Sequence, residues 1–226
     1  MGSHTANTHL VLASNSPRRR ELFQLLHVPF VSRTAEIDET PLSGEDPAGM
    51  VQRLSLTKAR AVAALTAGPA LVVGSDTTVA FEGTVLGKPV DAAEARRMLY
   101  DLRGRPHDVH TGVSVVDTGS GRELVWSVTT VVWMRDYTPA EIESYIASGD
   151  PFDKAGAYSI QHPGFAPVER IAGCYTNVMG MPLCALAERL ADVGLQLNPH
   201  IPAACAAYTG HLCPLLPAVA QRPSDR

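Results

Sequence analysis

Apolar positions along the chain fall into two patterns. Short unbroken runs, Leu10–Ala13 and Leu71–Gly74, read as buried strands. Longer stretches with apolar residues at helical spacing read as amphipathic helices over 17–27, 47–65, 92–102, 139–147 and 182–193. The first four helices each carry a start signal. Pro17 follows Ser16, Pro47 opens the second helix, Asp91 precedes Glu94, and Thr138 precedes Pro139 and Glu141. Gly68-Pro69, Gly104, Gly149 and Gly194 mark helix ends. Stretches rich in Val, Thr and Trp at 109–116 and 124–134 are predicted strands joined through Gly119-Ser120-Gly121. Residues 30–33, 77–81, 158–161 and 165–171 read as extended, and Glu82-Gly83 as a hairpin turn.

Helices and strands intermix around a long central hairpin, and no internal repeat interrupts them. The fold class is mixed α/β (α+β) with a mixed twisted sheet. The acidic stretch 36–46 is a loop. Residues 1–9 read as an N-terminal extension or tag, 10–197 as the folded domain, and 198–226 as a loosely attached extension rich in Pro and Ala with little periodicity.

Composition narrows the class. A chain of 226 residues that is 45% hydrophobic and 19% charged holds enough apolar material for a sizeable core. The formal net charge of −4 weighs against a nucleic-acid-backbone binder, which ordinarily carries a basic balance. No run of about 18 apolar residues suggests a membrane span, and no signal pattern opens the chain, so a cytoplasmic location is expected. Cys174, Cys184, Cys205 and Cys213 lack knuckle spacing. In a reducing compartment they read as thiols, with a metal site or disulfides as the alternative.

Four segments carry candidate chemistry. Ser14-Asn15-Ser16-Pro17 turns the first strand into a helix whose free N–H groups and dipole suit an anion. Arg18 in that first turn is unfavourable to the dipole unless an anion binds; the bland reading of Arg18, Arg19 and Arg20 is a solvated basic cluster. Asp76, directly after a buried run, stands where open α/β sheets place ligands, and is otherwise a turn or capping residue. Gly87-Lys88 offers close backbone approach and a point charge for phosphate, or an ordinary turn with a solvent lysine. In 153–161, polar groups alternate with small residues, and Gln161 has an amide able to read a base edge. His107, His110 and His162 show no ligand spacing and read as surface or core histidines.

Taken together, these segments resemble the Maf family. The likeness runs from Leu10 to Leu195. It rests on Leu-Ala-Ser-Asn-Ser-Pro-Arg-Arg-Arg-Glu-Leu at 12–22, Lys58-Ala59, Gly-Ser-Asp-Thr at 74–77, Leu-Gly-Lys-Pro at 86–89, Asp-Lys-Ala-Gly-Ala-Tyr at 153–158 with Ile160-Gln161, and Asn177–Leu183. The resemblance implies an elongated mixed sheet, of the kind shared with ITP pyrophosphatases, with flanking helices in two lobes around a cleft. It also implies hydrolysis of a nucleoside triphosphate between the α- and β-phosphates with Mg²⁺ or Mn²⁺. It makes Asp76 the proton acceptor and Arg18, Thr77 and Gln161 the selecting positions. Lys58 and Lys88 become phosphate-facing lysines, and Ser14 joins the substrate-binding set with Lys154 as a further candidate. Asp38 and Asp76 become the metal carboxylates, with Glu36 or Glu39 as substitutes for Asp38.

Within the family, Gly-Lys-Pro with Asp-Lys-Ala-Gly-Ala-Tyr is similar to the branch acting on dTTP and UTP, and CTP or modified pyrimidine nucleotides are further possible substrates. This implies a house-cleaning role in the nucleotide pool. The branch acting on 7-methyl-GTP differs at these places. Three departures stand out: Ser75 where Ala is usual, His162-Pro163 where Gly is usual, and the Cys-containing tail. Other readings remain open: a purine pyrophosphatase acting on ITP or XTP, and a nucleotide-binding regulator of cell division and septum formation. The expected partner is the nucleotide, with neither membrane nor nucleic acid, and a two-fold homodimer is plausible.

Overall fold

The computed structural model describes residues 9–211. Met1–His4, Cys213 and the rest of the tail lie outside the described residues. The strands are β1 (His9–Leu12), β2 (Phe30–Ser32), β3 (Ala70–Phe81), β4 (Thr84–Leu86), β5 (Pro106–Asp117), β6 (Glu123–Met134) and β7 (Val168–Ala172). The helices are α1 (Pro17–Gln24), α2 (Pro47–Ala64), α3 (Ala92–Leu102), α4 (Pro139–Ala147), α5 (Tyr175–Val178), α6 (Leu183–Asp192) and α7 (Ile201–Thr209). The strands form one seven-stranded mixed sheet in the order β2-β1-β3-β5-β6-β7, with β4 also paired to β3. β1 runs parallel to β2 and β3, and the remaining pairs are antiparallel.

The two-residue period of a strand sorts the core. Leu10, Leu12, Leu71 and Val73 point to one face and pack with Leu22 and Phe23 of α1 and Leu186 and Leu190 of α6. Val11, Ala13, Ala70 and Val72 point to the other face and meet Ala59 and Val62 of α2. Beyond the middle of β3 a separate core begins, in which Val79, Phe81, Val109 and Val132 pack against α3 and α4. The sheet is therefore shared between two lobes.

Local chemistry sets the helix starts. The Asp46 carboxylate accepts from the Ala48 and Gly49 N–H groups ahead of α2. Thr138 and Glu141 exchange the reciprocal bonds of a capping box, and Arg135 with the Thr138 donors holds the Glu141 carboxyl down at about 2. The Asp91 side chain accepts from the Glu94 N–H, whereas the Glu94 carboxylate reaches back to Val90.

Three expectations are corrected. β3 is one continuous strand through Phe81, because β5 pairs with it unbroken from Leu71 to Ala80 and β4 takes up its other edge from Val79. Residues 158–161 belong to an irregular turn, and only Val168–Ala172 of the following stretch pairs as a strand. The extension is not wholly loose: Ile201–Thr209 forms α7, which buries Ile201 and Cys205 in the first core. Its Ala and Pro composition hid a short apolar face. Among the described residues, no helix is long and apolar enough to cross a membrane.

His107, whose ring Nε2 meets the Tyr158 hydroxyl at 2.8 Å, is 4% exposed. Burial pushes its imidazole down to about 4. Between pH 6.5 and about 4 the unfolded chain therefore takes up a proton that the folded protein refuses, so acidification favours unfolding. The expected loss across that window is about 3 kcal/mol. Denaturant titrations at pH 7 and pH 4.5 measure it. His107→Gln, which retains a hydrogen-bonding partner for Tyr158, should flatten the dependence; an unchanged slope would assign the acid sensitivity elsewhere.

Candidate active site

β5 occupies one edge of β3 from Leu71 to Ala80. The other edge is shared by two short strands. β1 pairs as far as Val73, whose carbonyl also accepts from Ala13 N–H, and β4 begins its pairing at Val79. Residues 74–78 are left facing an opening between them. That opening is a cleft of about 650 Å³, walled by the turn after β1, the acidic loop, α2, the Lys88 turn and residues 153–161. It is large enough for a nucleotide-sized ligand. Asp76 therefore lies inside a strand rather than at its end; what exposes it to the cleft is the end of its neighbour β1.

Two glycines bring α2 down onto this part of the sheet. A Cβ on Gly74 would stand 2.1 Å from the Ser55 carbonyl oxygen, and one on Gly112 would stand 2.1 Å from the Val51 carbonyl oxygen. Gly74, Asp76, Gly112 and Ser114 share one face of the sheet, opposite the Val51, Ser55 and Lys58 positions of α2. Ser55 and Ser114 hydroxyls meet at 2.7 Å, and one turn further along α2 the Lys58 Nζ donates to Asp76 Oδ1 at 2.5 Å. The same ammonium lies 2.9 Å from Glu39 Oε1. Burial raises the Glu39 carboxyl, but the Lys58 hydrogen bond and charge, with Lys88 and Arg19, more than offset it and leave it below its usual value. Asp76 itself is 8% exposed.

The opposite face of β3 is served by α1. Ser16 caps this helix by accepting from Arg19 N–H, and the Ser14 hydroxyl accepts from Ser16 N–H at 3.2 Å. The Arg19 side chain turns inward. Its Nη2 donates to Thr77 Oγ1 and its Nε to the Gly180 carbonyl, each at 3.0 Å. Burial lowers the Arg19 guanidinium, against the pull of Asp76. Ser75 donates to the same Gly180 carbonyl at 2.8 Å and so helps fix the acceptor that orients Arg19. Thr77 also meets the Thr111 hydroxyl at 3.0 Å. Arg18 faces the far wall, where its Nη1 lies 3.3 Å from Asp153 Oδ2.

The cleft brings together Ser14, Arg18, Lys58, Asp76, Thr77, Lys88, Lys154 and Gln161. The Lys88 turn is tied to the far wall through Gly87, whose carbonyl accepts from Gly156 N–H at 3.0 Å. Two placements differ from expectation. Asp38 is not in the cleft wall: its Oδ1 accepts from Thr40 N–H within an exposed loop, where the Thr40 side chain and then its N–H lower the carboxyl, and its neighbour Glu39 takes the position beside Lys58. Lys154 is buried with its ammonium donating to Asp150 O, Asp150 Oδ1 and Asp153 Oδ1 at 2.6, 3.0 and 2.5 Å. An ammonium has three donors, so this one braces the wall rather than reaching for a ligand. His162 also turns from the ligand side: its Nδ1 accepts from Phe165 N–H and its ring packs on Tyr145.

Arg19 is the site residue that a reading by pattern passes over, and Glu39, offered there only as a substitute for Asp38, is the acid beside Lys58. In the run Arg18–Arg20 no periodicity tells which guanidinium faces inward, and the loop around Glu39 has no period at all.

Arg18, Arg19, Lys58 and Lys88 gathered around one cleft, with carboxylates interleaved among them, suit a polyanionic ligand. Comparison with known proteins agrees with that chemistry. A dTTP/UTP pyrophosphatase of Moorella thermoacetica is 51% identical over 189 residues, covering 83% of this chain and 96% of that protein. Those of Citrifermentans bemidjiense and Pelotomaculum thermopropionicum are 45% and 46% identical, covering 83% and 82% of this chain and 97% and 96% of those proteins. The family model described as Maf-like protein matches residues 9–193, which spans both lobes and every wall of the cleft. The chain belongs to the Maf family.

Proposed function

We propose that this protein is a nucleoside triphosphate pyrophosphatase that hydrolyses dTTP and UTP to the monophosphate and pyrophosphate, acting in the cytoplasm. The observation that carries the reading is the Lys58 ammonium held between Asp76 and Glu39 in a cleft whose other walls present Arg18, Arg19 and Lys88. The names of the relatives supply the substrates.

The triphosphate lies along the N-terminus of α1, where free N–H groups and the helix dipole meet negative charge. Arg18, Lys58 and Lys88 neutralise phosphate oxygens, and Arg19 holds Thr77 in position. Asp76 accepts the proton of the water that attacks the α-phosphorus in line with the departing pyrophosphate. One of its oxygens is engaged by Lys58, and a carboxylate retains lone pairs for the water. Positioning and electrostatics provide most of the rate, because phosphoryl chemistry asks little covalent help of a protein. No covalent enzyme intermediate is needed.

The donor set fits a divalent cation. Asp76 and Glu39 approach a single cationic nitrogen, and Mg²⁺ is ordinarily held by one or two carboxylates together with substrate phosphates and water. Among the described residues no cluster of three or more His, Cys, Asp or Glu forms an all-protein cage. Asp76 and Glu39, in place of Asp38, would hold Mg²⁺ or Mn²⁺, which would offset charge on the phosphates.

A screen of nucleoside triphosphates for pyrophosphate release tests the reading. Release from dTTP and UTP with Mg²⁺, lost on chelation and restored by Mg²⁺ or Mn²⁺, is expected. Tight nucleotide binding without turnover would overturn it, and faster turnover of ITP than of UTP would move the substrate to the purines.

A further inference from the structure

The acidic loop carries Glu39 to the cleft, yet its backbone holds itself in place at one point only. Among the described residues, 34–45 make a single backbone–backbone hydrogen bond, from Glu45 N–H to the Leu42 carbonyl at 3.2 Å. The Glu39 side chain is 59% exposed. An ion pair that open to water is worth little, so the 2.9 Å contact with Lys58 does not by itself fix the loop.

A stronger tie comes from the preceding turns of α2. Arg53 Nε and Nη2 donate to Glu45 Oε1 and Oε2, each at 2.6 Å. This two-bond fork is the geometry in which an ion pair does contribute, and the Glu45 side chain is only 13% exposed. Arg53 Nη2 also donates to the Thr40 carbonyl at 3.3 Å, and Glu45 Oε2 accepts from Leu42 N–H at 3.2 Å. On the other side of Thr40, its N–H is held by Asp38 Oδ1 at 2.9 Å. Both polar backbone groups of the residue after Glu39 are therefore engaged. The loop lies along α2, fastened at Arg53, and Glu39 meets Lys58 about 7.5 Å further along the helix axis.

We propose that Arg53 is a positioning residue for Glu39: its fork on Glu45 and its grip on the Thr40 carbonyl hold the acidic loop where Glu39 shares Lys58 with Asp76. Arg53 stands outside the cleft wall, whereas Glu39 and Pro41 line it, so the effect passes through the loop backbone. Asp38 gains a place in the same device, as the side chain that closes the turn around Glu39. The proposal rests on the reading of Glu39 as one of the two carboxylates that would hold the cation.

The test is a double-mutant cycle on kcat/KM for UTP in the full chain. Arg53→Gln should lower kcat/KM by about tenfold, the scale for groups that orient a metal-binding carboxylate. The Mg²⁺ concentration that gives half the maximal rate should rise with it. Arg53→Lys keeps the charge but cannot form the fork, and should lose nearly as much. In a Glu39→Gln background, Arg53→Gln should cost less than about twofold more, because the two act through one group. A glutamate-specific protease gives a readout without turnover: cleavage at Glu36, Glu39 or Glu45 should quicken in Arg53→Gln while the melting temperature moves little. Parent kcat/KM in Arg53→Gln, an equal loss in both backgrounds, or unchanged cleavage would each overturn the proposal. Parent activity in Glu39→Gln alone is a different failure: it removes Glu39 from the reaction, and the role of Arg53 falls with it.

Discussion

Asp76→Asn is expected to lower the maximal rate of pyrophosphate release by at least about a hundredfold, the usual scale for removing a general base. That corresponds to about 2.7 kcal/mol of transition-state stabilisation. The amide keeps the size and one acceptor oxygen of the carboxylate but cannot take a proton from water. The substitution also leaves Lys58 paired, because Glu39 Oε1 lies 2.9 Å from the same ammonium. The fold should therefore survive, and circular dichroism with a thermal melt should be close to the parent. Single-turnover measurements place the effect: the chemical step should slow while KM for UTP moves only a few-fold, because in the proposed binding mode the phosphates are held by Arg18, Lys88 and the α1 N-terminus rather than by Asp76. Asp76→Ala should be at least as damaging. A variant of Asp76 that retained near-parent turnover would show that the water loses its proton to another group, and Glu39 would be the next carboxylate to test.

Much of this arrangement could be read from the chain because each signal was local. Ser16-Pro17, Pro47 and Thr138-Pro139 start the helices they announced, and the Val- and Thr-rich stretches pair as β5 and β6. The cleft residues were legible as short motifs, and the structure gathers 18, 58, 76, 77, 88 and 161 around one opening. What stayed hidden depends on contacts distant in sequence. Asp76 reads as the end of a strand because its strand is continuous only through pairing with β5 and β4. Glu39 and Asp38 are adjacent acids in a loop, and only the reach of Lys58 from α2 distinguishes them. Lys154 has the composition of a phosphate-binding lysine, but Asp150 and Asp153, drawn together by tight turns, claim its donors. α7 has almost no periodicity, and its docking rests on the few side chains it sets against α6.

The second large effect is expected at Gly74, where fold and chemistry meet. Gly74→Ala would place a methyl group 2.1 Å from the Ser55 carbonyl oxygen and 2.9 Å from the Ala59 amide nitrogen. Both are backbone atoms of α2, so no rotamer change relieves the clash and the helix as a whole must lift from the sheet. Overpacking of this kind costs about 3 kcal/mol at the upper end of its ordinary range. For a domain of this size that is a fall of roughly 10 °C in melting temperature. Gly87→Ala is the control, since a methyl there meets nothing within 4 Å and should leave stability level or raise it slightly. The folded fraction of Gly74→Ala should also be impaired. Lifting α2 breaks the Ser55–Ser114 bond and carries the Lys58 ammonium away from Asp76. A displacement near 1 Å is enough to cost a catalytic arrangement about tenfold or more. Activity measured well below the lowered melting temperature separates the two consequences. A stable but slow variant would show α2 adjusting at the expense of the site. A variant as stable and as fast as the parent would mean that the close approach of helix to sheet is not what holds Lys58 over Asp76.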